Sequence, residues 1–396
     1  IISFKINNLP LLIFFLMVFY IFFLKSFYNH GKVFYSMILI VAIHQLATIY
    51  NVFIDTLPGA SGDALAFSEH ALLVIENNDF SFVTGSALFE KIIAIIYIFF
   101  GVDYFMLSEL FLIFYSYTCV KFIKILDQLG LKDNKHIPLL FYGLLPSGVI
   151  HLSIPLREVF ELGLILIMFS YLYDYINHGR YKSLVKLIVP FVLLSLLHRA
   201  TIILSLGLLL FSLFYHKKEG LRKKRGVVLT IFTLFLFFTF VSFTNLFDSG
   251  FIDTLLNYRN STAYGNTTYN ANIDRTLLGF IFGLISIYFH YMLGPFLWDA
   301  RGVIDLIAIT EVFIRIFILL KIFSLFRKKD RPLEFYKNIK ILLGFYFVIT
   351  IFWSLGTTNY GTAVRHHLLD WWIICILIGY LYNNRYNKCT NHNEKK

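Results

Sequence analysis

Long apolar runs recur from one end of the chain to the other, and they constrain the fold more than any other feature. Each run is about 20 residues long, enough for one helix to cross a hydrocarbon core of roughly 30 Å. Only 15% of the 396 residues are charged and 58% are hydrophobic, whereas soluble domains average about 25% charged residues. The sequence therefore predicts an all-α, polytopic transmembrane helical bundle that forms a single integral membrane domain, 1–396.

Eleven of the apolar runs are assigned as spans, and two further segments, 82–101 and 276–298, do not fit the parity. If all basic loops lie on one side, both segments must leave and return on the other side. Either they are re-entrant half-helices, which need protein or a cavity around them, or one loop assignment is wrong. The prediction is thus about 11–13 membrane segments. The spans lie near 9–24, 33–54, 104–125, 137–152, 159–176, 183–198, 200–215, 226–247, 304–325, 340–356 and 368–384.

Lys and Arg, which give the chain a formal charge of +11, are concentrated in short connections. The richest are the loops 216–225 and 327–340, the loop 132–136 and the tail 385–396. This distribution follows the positive-inside rule and predicts that these segments are cytoplasmic and contact lipid headgroups. We therefore predict membrane lipids, and no nucleic acid, as partners of the basic segments. The first apolar run, near 9–24, lacks a small-residue cleavage site and is expected to be retained.

The first outer loop, 55–81, is acidic and contains no Lys or Arg. Wound as a helix from Asp63, it places Asp63 and Glu69 on a polar side, with Phe67 and Ala71 opposite. The pattern predicts an amphipathic interfacial helix. Asp63 is the main candidate for a catalytic carboxylate and Glu69 the second, while the alternatives are a helix N-cap and a solvated acidic loop.

Three basic clusters lie on the side that the positive-inside rule depletes of cations. Arg157 opens a helix after two prolines, and its partner is Glu158, Glu161 or an anionic ligand such as phosphate. The plain alternative is an intrahelical pair between Arg157 and Glu161. His198 and Arg199 form the second cluster, for which a snorkelling pair at the interface is the alternative.

Arg365 and His366 form the third cluster, at the head of the last span. The plain alternative pairs one of them with Asp370, whereas an anion-binding role makes Arg365 a ligand for phosphate. Together, the clusters predict guanidinium groups and one carboxylate at a common outer boundary. A lipid-linked phosphosugar would meet that arrangement.

The residues resemble two groups of bacterial membrane proteins. The outer-loop "GDA..F", the "PS......LRE" at the head of a span, "GPFLW" and "NYGTAVRHH" resemble multi-pass glycosyltransferases of the GT-C superfamily, in the family-39-like group. The order of Asp63, Arg157 and "SLLHRATIIL" also resembles the EpsG/Wzy polysaccharide polymerases. Here Asp63 is followed by Ala64, where the GT-C pattern often has an Asp-Glu pair.

Either resemblance implies glycosyl transfer at the outer face of the bacterial cytoplasmic membrane, from a polyprenyl-linked sugar donor to a glycan or lipid-linked acceptor. Asp63 would accept the proton of the acceptor hydroxyl. Arg157, Arg199 and Arg365 would hold the donor phosphate and would be paired only when it is bound. The resemblance requires no cofactor, although a divalent metal is compatible with it. The alternatives are a repeat-unit polymerase for O-antigen or exopolysaccharide, a flippase for lipid-linked sugars, and an assembly partner without catalysis.

Overall fold

The computed structural model describes residues 31–57, 61–215, 251–263, 267–269, 276–328 and 331–383. These residues form fourteen α-helices and no β-strand. Predicted spans near 9–24 and 226–247, the loop 216–225 and the tail 385–396 lie outside the described residues. The helices are α1 (Lys32–Ile49, continued by a π-helical turn over Tyr50–Ile54), α2 (Ser61–Glu76), α3 (Ser86–Phe100), α4 (Tyr104–Gln128), α5 (His136–Gly143), α6 (Pro146–Leu152), α7 (Glu158–His178), α8 (Tyr181–Leu197), α9 (Thr201–Tyr215), α10 (Phe251–Thr262), α11 (Leu277–Leu293), α12 (Val303–Lys328), α13 (Leu333–Gly356) and α14 (Tyr360–Tyr382).

Several helices are long and apolar enough to cross a membrane, which confirms the all-α bundle and makes the chain a multi-pass membrane protein. In the part of the chain that the structure describes, five segments meet this criterion. Shorter apolar helices cover Thr201–Leu213 and Ile281–Leu293. The five segments are Lys32–Ile54, Tyr104–Gln128, Glu158–His178, Leu333–Gly356 and Tyr360–Tyr382.

The last helix, α14, is the centre of the bundle. It packs against α13, α5, α12 and α7, and 89% of its most apolar stretch of 18 residues is buried. A helix that is apolar on every side is stable only when neighbours surround it. Because α14 is enclosed in this way, its few polar side chains must find partners on the neighbouring helices.

The two ends of the bundle differ in charge. Near one end, the Asn134 side chain donates a hydrogen bond to the Tyr382 carbonyl at 3.2 Å, and the Tyr380 hydroxyl donates to the Leu129 carbonyl at 3.2 Å. The short connection between α7 and α8 lies at the same end and carries Arg180. We call the connections 129–136, 178–182 and 331–337 the basic end, and the connections 144–157, 198–200 and 357–366 the opposite end.

The segment 82–101 forms α3, which begins and ends at the opposite end. Its 15 residues span about 22 Å at 1.5 Å per residue, less than a hydrocarbon core. The Gly85 amide donates to the Leu196 carbonyl at 2.7 Å, next to the end of α8. Phe100, the last residue of the helix, packs against the cluster of Phe105 and Met106 at the start of α4. Both ends of α3 therefore lie at the opposite end of the bundle, so the helix runs along that end and does not cross the bundle.

The segment 276–298 behaves in the same way. Its helix α11 runs antiparallel to α13, because the Tyr288 hydroxyl lies 3.2 Å from the Thr350 hydroxyl while Met292 contacts Tyr346. The chain then turns at Gly294 and returns, so that the Tyr360 hydroxyl donates to Asp299 Oδ2 at 3.2 Å. Both segments that break the parity thus begin and end at the opposite end, and of the two only 276–298 forms a hairpin.

Gly294→Ala is expected to damage the turn of this hairpin. A Cβ atom at Gly294 would lie 2.6 Å from the His290 carbonyl oxygen and closer still to the Tyr360 ring. Overpacking of this kind costs about 1–3 kcal/mol, which thermal unfolding in detergent would detect. Gly302→Ala is the matched control, because an added Cβ there meets nothing within 4 Å. Equal stability of the two variants would contradict the tight turn.

Three predicted boundaries differ from the structure. The span 137–152 is two short helices, since Leu145 has an extended ψ of 124° before Pro146. The last span begins at Tyr360, where the Asn359 side chain caps it by accepting from the Thr362 amide at 2.7 Å. The basic loop 327–340 is helical at both of its ends, because α12 runs to Lys328 and α13 starts at Leu333.

The amphipathic helix predicted in the first outer loop is present as α2. Its Ala64 and Ala71 are fully buried, and the helix packs along α3. The Ser68 hydroxyl lies 2.6 Å from the Tyr97 hydroxyl, and on the exposed side His70 Nδ1 lies 3.1 Å from Glu90 Oε1. The apolar face is therefore covered by protein, which fixes the start of α2 on the bundle.

Candidate functional site

An ion pair between distant parts of the chain joins Asp63 to Arg365. Asp63 is in the first turn of α2, and Arg365 is in the second turn of α14. Arg365 Nη1 donates to Asp63 Oδ2 at 2.5 Å. The carboxylate is half exposed (53%) and the guanidinium is mostly buried (20%). The pair therefore lies at the rim of the bundle, with its acidic member towards the surroundings.

A second carboxylate approaches the same guanidinium from α7. Glu158 Oε1 lies 3.8 Å from Arg365 Nη1, and only 5% of the Glu158 side chain is exposed. Glu158 and Glu161 occupy the first turn of α7, where the helix dipole stabilises negative charge. Arg365 thus lies between one exposed and one buried carboxylate.

Arg157, the residue before α7, pairs within its own helix. Its Nε lies 3.5 Å from Glu161 Oε1, which is the plain alternative considered for it. The expectation that the arginines are paired only when a donor is bound is therefore wrong for Arg157 and Arg365. Carboxylates of the protein pair with these arginines, because a buried guanidinium group without a counter-charge is costly.

Two histidines predicted for the site pack against the buried ring of Trp353. The His366 ring stacks on it at a centroid distance of 4.1 Å, and the His198 ring meets it edge-on at 5.2 Å. The Thr357 hydroxyl lies 2.7 Å from His366 Nδ1. His198 lies close enough to Arg157 for the two groups to interact electrostatically.

His151, which sequence reasoning did not single out, also belongs to the cluster. It is buried at the end of α6 and interacts electrostatically with Arg365 and Asp63. A polar residue between two prolines in an apolar run was the available signal. The structure thus brings together Asp63, Arg157, His198, Arg365 and His366, with His151, Glu158, Glu161 and Trp353 added.

Arg199 and Glu69 are placed differently. The Arg199 side chain is exposed and donates to the Thr84 hydroxyl, in the connection between α2 and α3. It lies at the same end of the bundle as Asp63 but interacts with the connection between α2 and α3 and not with the Asp63 carboxylate. Glu69 is exposed on α2, and no ion pair among the described residues joins it to an arginine.

A separate polar cluster lies deeper in the bundle, on the other side of α14. His367 Nδ1 lies 3.0 Å from Asp370 Oδ2, and His367 Nε2 lies 2.8 Å from the Tyr291 carbonyl of α11. Arg315 Nη1 of α12 is 3.1 Å from the same Nε2. The alternative that paired Arg365 or His366 with Asp370 is therefore wrong, because Asp370 pairs with His367.

The same cluster extends to α6 through Glu311. Its two carboxylate oxygens accept from Ser147, at 2.9 Å from the amide and 2.7 Å from the hydroxyl. Charged residues inside an apolar run are rare and mark sites of packing or function. Glu311 and Arg315 stand inside the predicted span 304–325, so that signal was available in the sequence.

The cluster at the opposite end combines a half-exposed carboxylate, buried carboxylates and guanidinium groups. Such a set can accept a proton and can stabilise a developing phosphate anion. Within the described residues, no group of three or more His, Cys, Asp or Glu side chains is arranged to hold a metal ion. Comparisons with protein-family models, with curated proteins and with solved structures find no match. A functional assignment must therefore come from the geometry of the cluster.

Proposed function

We propose that this protein is a membrane glycosyltransferase that moves a sugar from a polyprenyl-phosphate-linked donor to a lipid-linked or surface glycan acceptor. The observation that carries the proposal is the contact between Asp63 and Arg365, with Glu158 on the other side of the guanidinium. A carboxylate at the exposed edge of a buried cation suits a substrate that is part lipid and part polar.

The exposed member of this pair supplies a mechanism. A donor phosphate that binds Arg365 replaces the Asp63 carboxylate, because both are anions that compete for one guanidinium. Asp63 is then available to accept the proton from an acceptor hydroxyl. The acceptor oxygen bonds to the anomeric carbon, the bond from that carbon to the phosphate oxygen breaks, and Arg365 with Arg157 stabilises the released phosphate.

The charge of the two ends supports an orientation. The connections of the basic end carry Lys132, Lys135, Arg180 and Lys337, so the positive-inside rule favours the cytoplasm for that end. The cluster around Asp63 then faces the outside of a bacterial cytoplasmic membrane, where lipid-linked sugars are used. Accessibility of single cysteines at Glu76 and Lys132 to an impermeant thiol reagent tests this orientation, and labelling of Lys132→Cys from outside contradicts it.

A transfer assay with purified protein in proteoliposomes tests the reaction. One reaction contains a polyprenyl-phosphate monosaccharide, and the other contains a lipid-linked oligosaccharide. Single addition from the first donor is the expected result. A ladder of products from the oligosaccharide alone would instead assign the protein as a repeat-unit polymerase, and no product from either donor would reject the proposal.

The deep cluster favours transport as the second candidate function. Arg315 and Asp370 are ionisable groups far inside the bundle, and such groups also line substrate paths in transporters. Movement of a lipid-linked sugar across the bilayer of proteoliposomes, without an acceptor, is the expected signature of a flippase. Sugar transfer to an acceptor without such movement would exclude the flippase and support the glycosyltransferase.

A further inference from the structure

Several buried polar atoms of the candidate site lack a hydrogen-bond partner among the described residues. They include Oε2 of Glu158 and the Nδ1 atoms of His151 and His198. Oε1 of Glu161 accepts no hydrogen bond either, although it forms an ion pair with Arg157 at 3.5 Å. Only 5% of the Glu158 side chain and 2% of the Glu161 side chain are exposed. Nε1 of Trp353 is also without a partner. Because buried polar groups are nearly always hydrogen-bonded, this concentration indicates an occupant.

These atoms belong to one cluster around the two guanidinium groups. Glu161 interacts electrostatically with Arg157, Glu158 and Arg365. His151 interacts with Arg365, and His198 interacts with Arg157. The residues that carry the unpartnered atoms therefore lie near the two arginines to which the proposed donor phosphate binds.

The chemistry of the unpartnered atoms identifies the kind of occupant. Carboxylate oxygens only accept hydrogen bonds, an imidazole nitrogen accepts or donates according to its tautomer, and the Trp353 indole only donates. The ionised phosphodiester of the donor has no hydrogen to offer Glu158 or Glu161. Hydroxyl groups donate and accept, so a ring that carries several hydroxyls matches the whole set.

The charge of the cluster narrows the class of sugar. The carboxyls of Asp63, Glu158 and Glu161 stand against the two guanidinium groups of Arg157 and Arg365. The two guanidinium charges are balanced when Glu161 is protonated and outweighed by one when it is ionised, so the cluster has no net positive charge. A carboxylate on the sugar would meet like charge at a buried position, whereas a hydroxyl or an amine would not.

We infer that the buried half of the site holds the ring of the transferred sugar through Glu158 and Glu161, and that it selects neutral or amine-bearing sugars over uronic acids. This inference rests on the proposed function and specifies its substrate. Arg365 marks the border between the sugar and phosphate parts, because it lies next to both Asp63 and Glu158.

A donor panel tests the selection on the unmodified protein. Polyprenyl-phosphate donors that differ only in carrying a hexose, a 2-amino-2-deoxyhexose or a hexuronic acid are compared by kcat/KM. The hexuronic acid is expected to be at least about tenfold worse than the hexose, because like charges at close range disfavour binding. Equal use of the hexuronic acid and the hexose overturns this inference but keeps the proposed function, and failure of every donor overturns both.

Glu158→Gln and Glu161→Gln test which atoms do the selecting. Each removes one negative charge and adds an amide donor, so the preference for hexose over hexuronic acid is expected to fall several-fold. Glu76→Gln, an exposed change on α2, is the matched control and is expected to keep the preference. If the preference survives in both buried variants, water alone occupies these atoms and the inference is wrong.

Discussion

Asp63→Asn is expected to lower the rate of glycosyl transfer by about 10²–10⁴-fold, the usual contribution of a positioned general base. The amide has the same shape and still accepts a hydrogen bond from Arg365, so the contact between α2 and α14 persists. It does not take the acceptor proton. The loss is therefore expected in kcat, with KM for the donor changed much less.

The matched control for this variant is Glu76→Gln, which removes a carboxylate from the exposed last turn of the same helix. It changes the charge of the outer loop by the same amount as Asp63→Asn. Both proteins are measured with saturating donor and with thermal unfolding as the check on folding. If Asp63→Asn stays within threefold of the unmodified protein, Asp63 is not the base, and Glu158 becomes the candidate.

Sequence reasoning found Asp63 and Arg365 because both stand beside apolar runs on the side where charge is scarce. Their contact joins positions 302 residues apart, and the sequence carries no measure of that distance. It was the parity of the spans, together with the acidic first loop, that placed both groups at one end. Predicting the side of the membrane on which each charged residue lies was thus enough to identify Asp63 and Arg365 as neighbours.

The partners of these groups were harder to predict. Successive residues on a helix point about 100° apart, so Arg365, His366 and His367 face three different neighbours. Asp370 pairs with His367, although Arg365 and His366 were the residues considered for it. Choosing among them requires the angle at which α11 and α12 pack on α14, which no local pattern contains.

The deep cluster leads to the largest expected effect on stability. Arg315 is 2% exposed and interacts electrostatically with Asp370 and Glu311. Arg315→Met keeps the length of the side chain but leaves both carboxyl groups without their guanidinium. Among the described residues Arg315 contacts His367 at 3.1 Å and does not touch either carboxyl group, so the cost of breaking a buried ion pair, about 3–5 kcal/mol, is an upper bound. Unfolding in mixed detergent micelles is expected to show a loss that approaches this value.

A control and a rescue separate charge from packing. Lys321→Met also replaces a cation of α12 by methionine. Because Lys321 is exposed, the stability of this variant is expected to change little. The double variant Arg315→Met, Asp370→Asn removes the charge that the single variant leaves unpaired, and part of the stability is expected to return. Because α14 is apolar on most of its surface, polar contacts of this kind fix its rotation and hence the position of Arg365. If Arg315→Met unfolds like the unmodified protein, α14 keeps its rotation by packing alone.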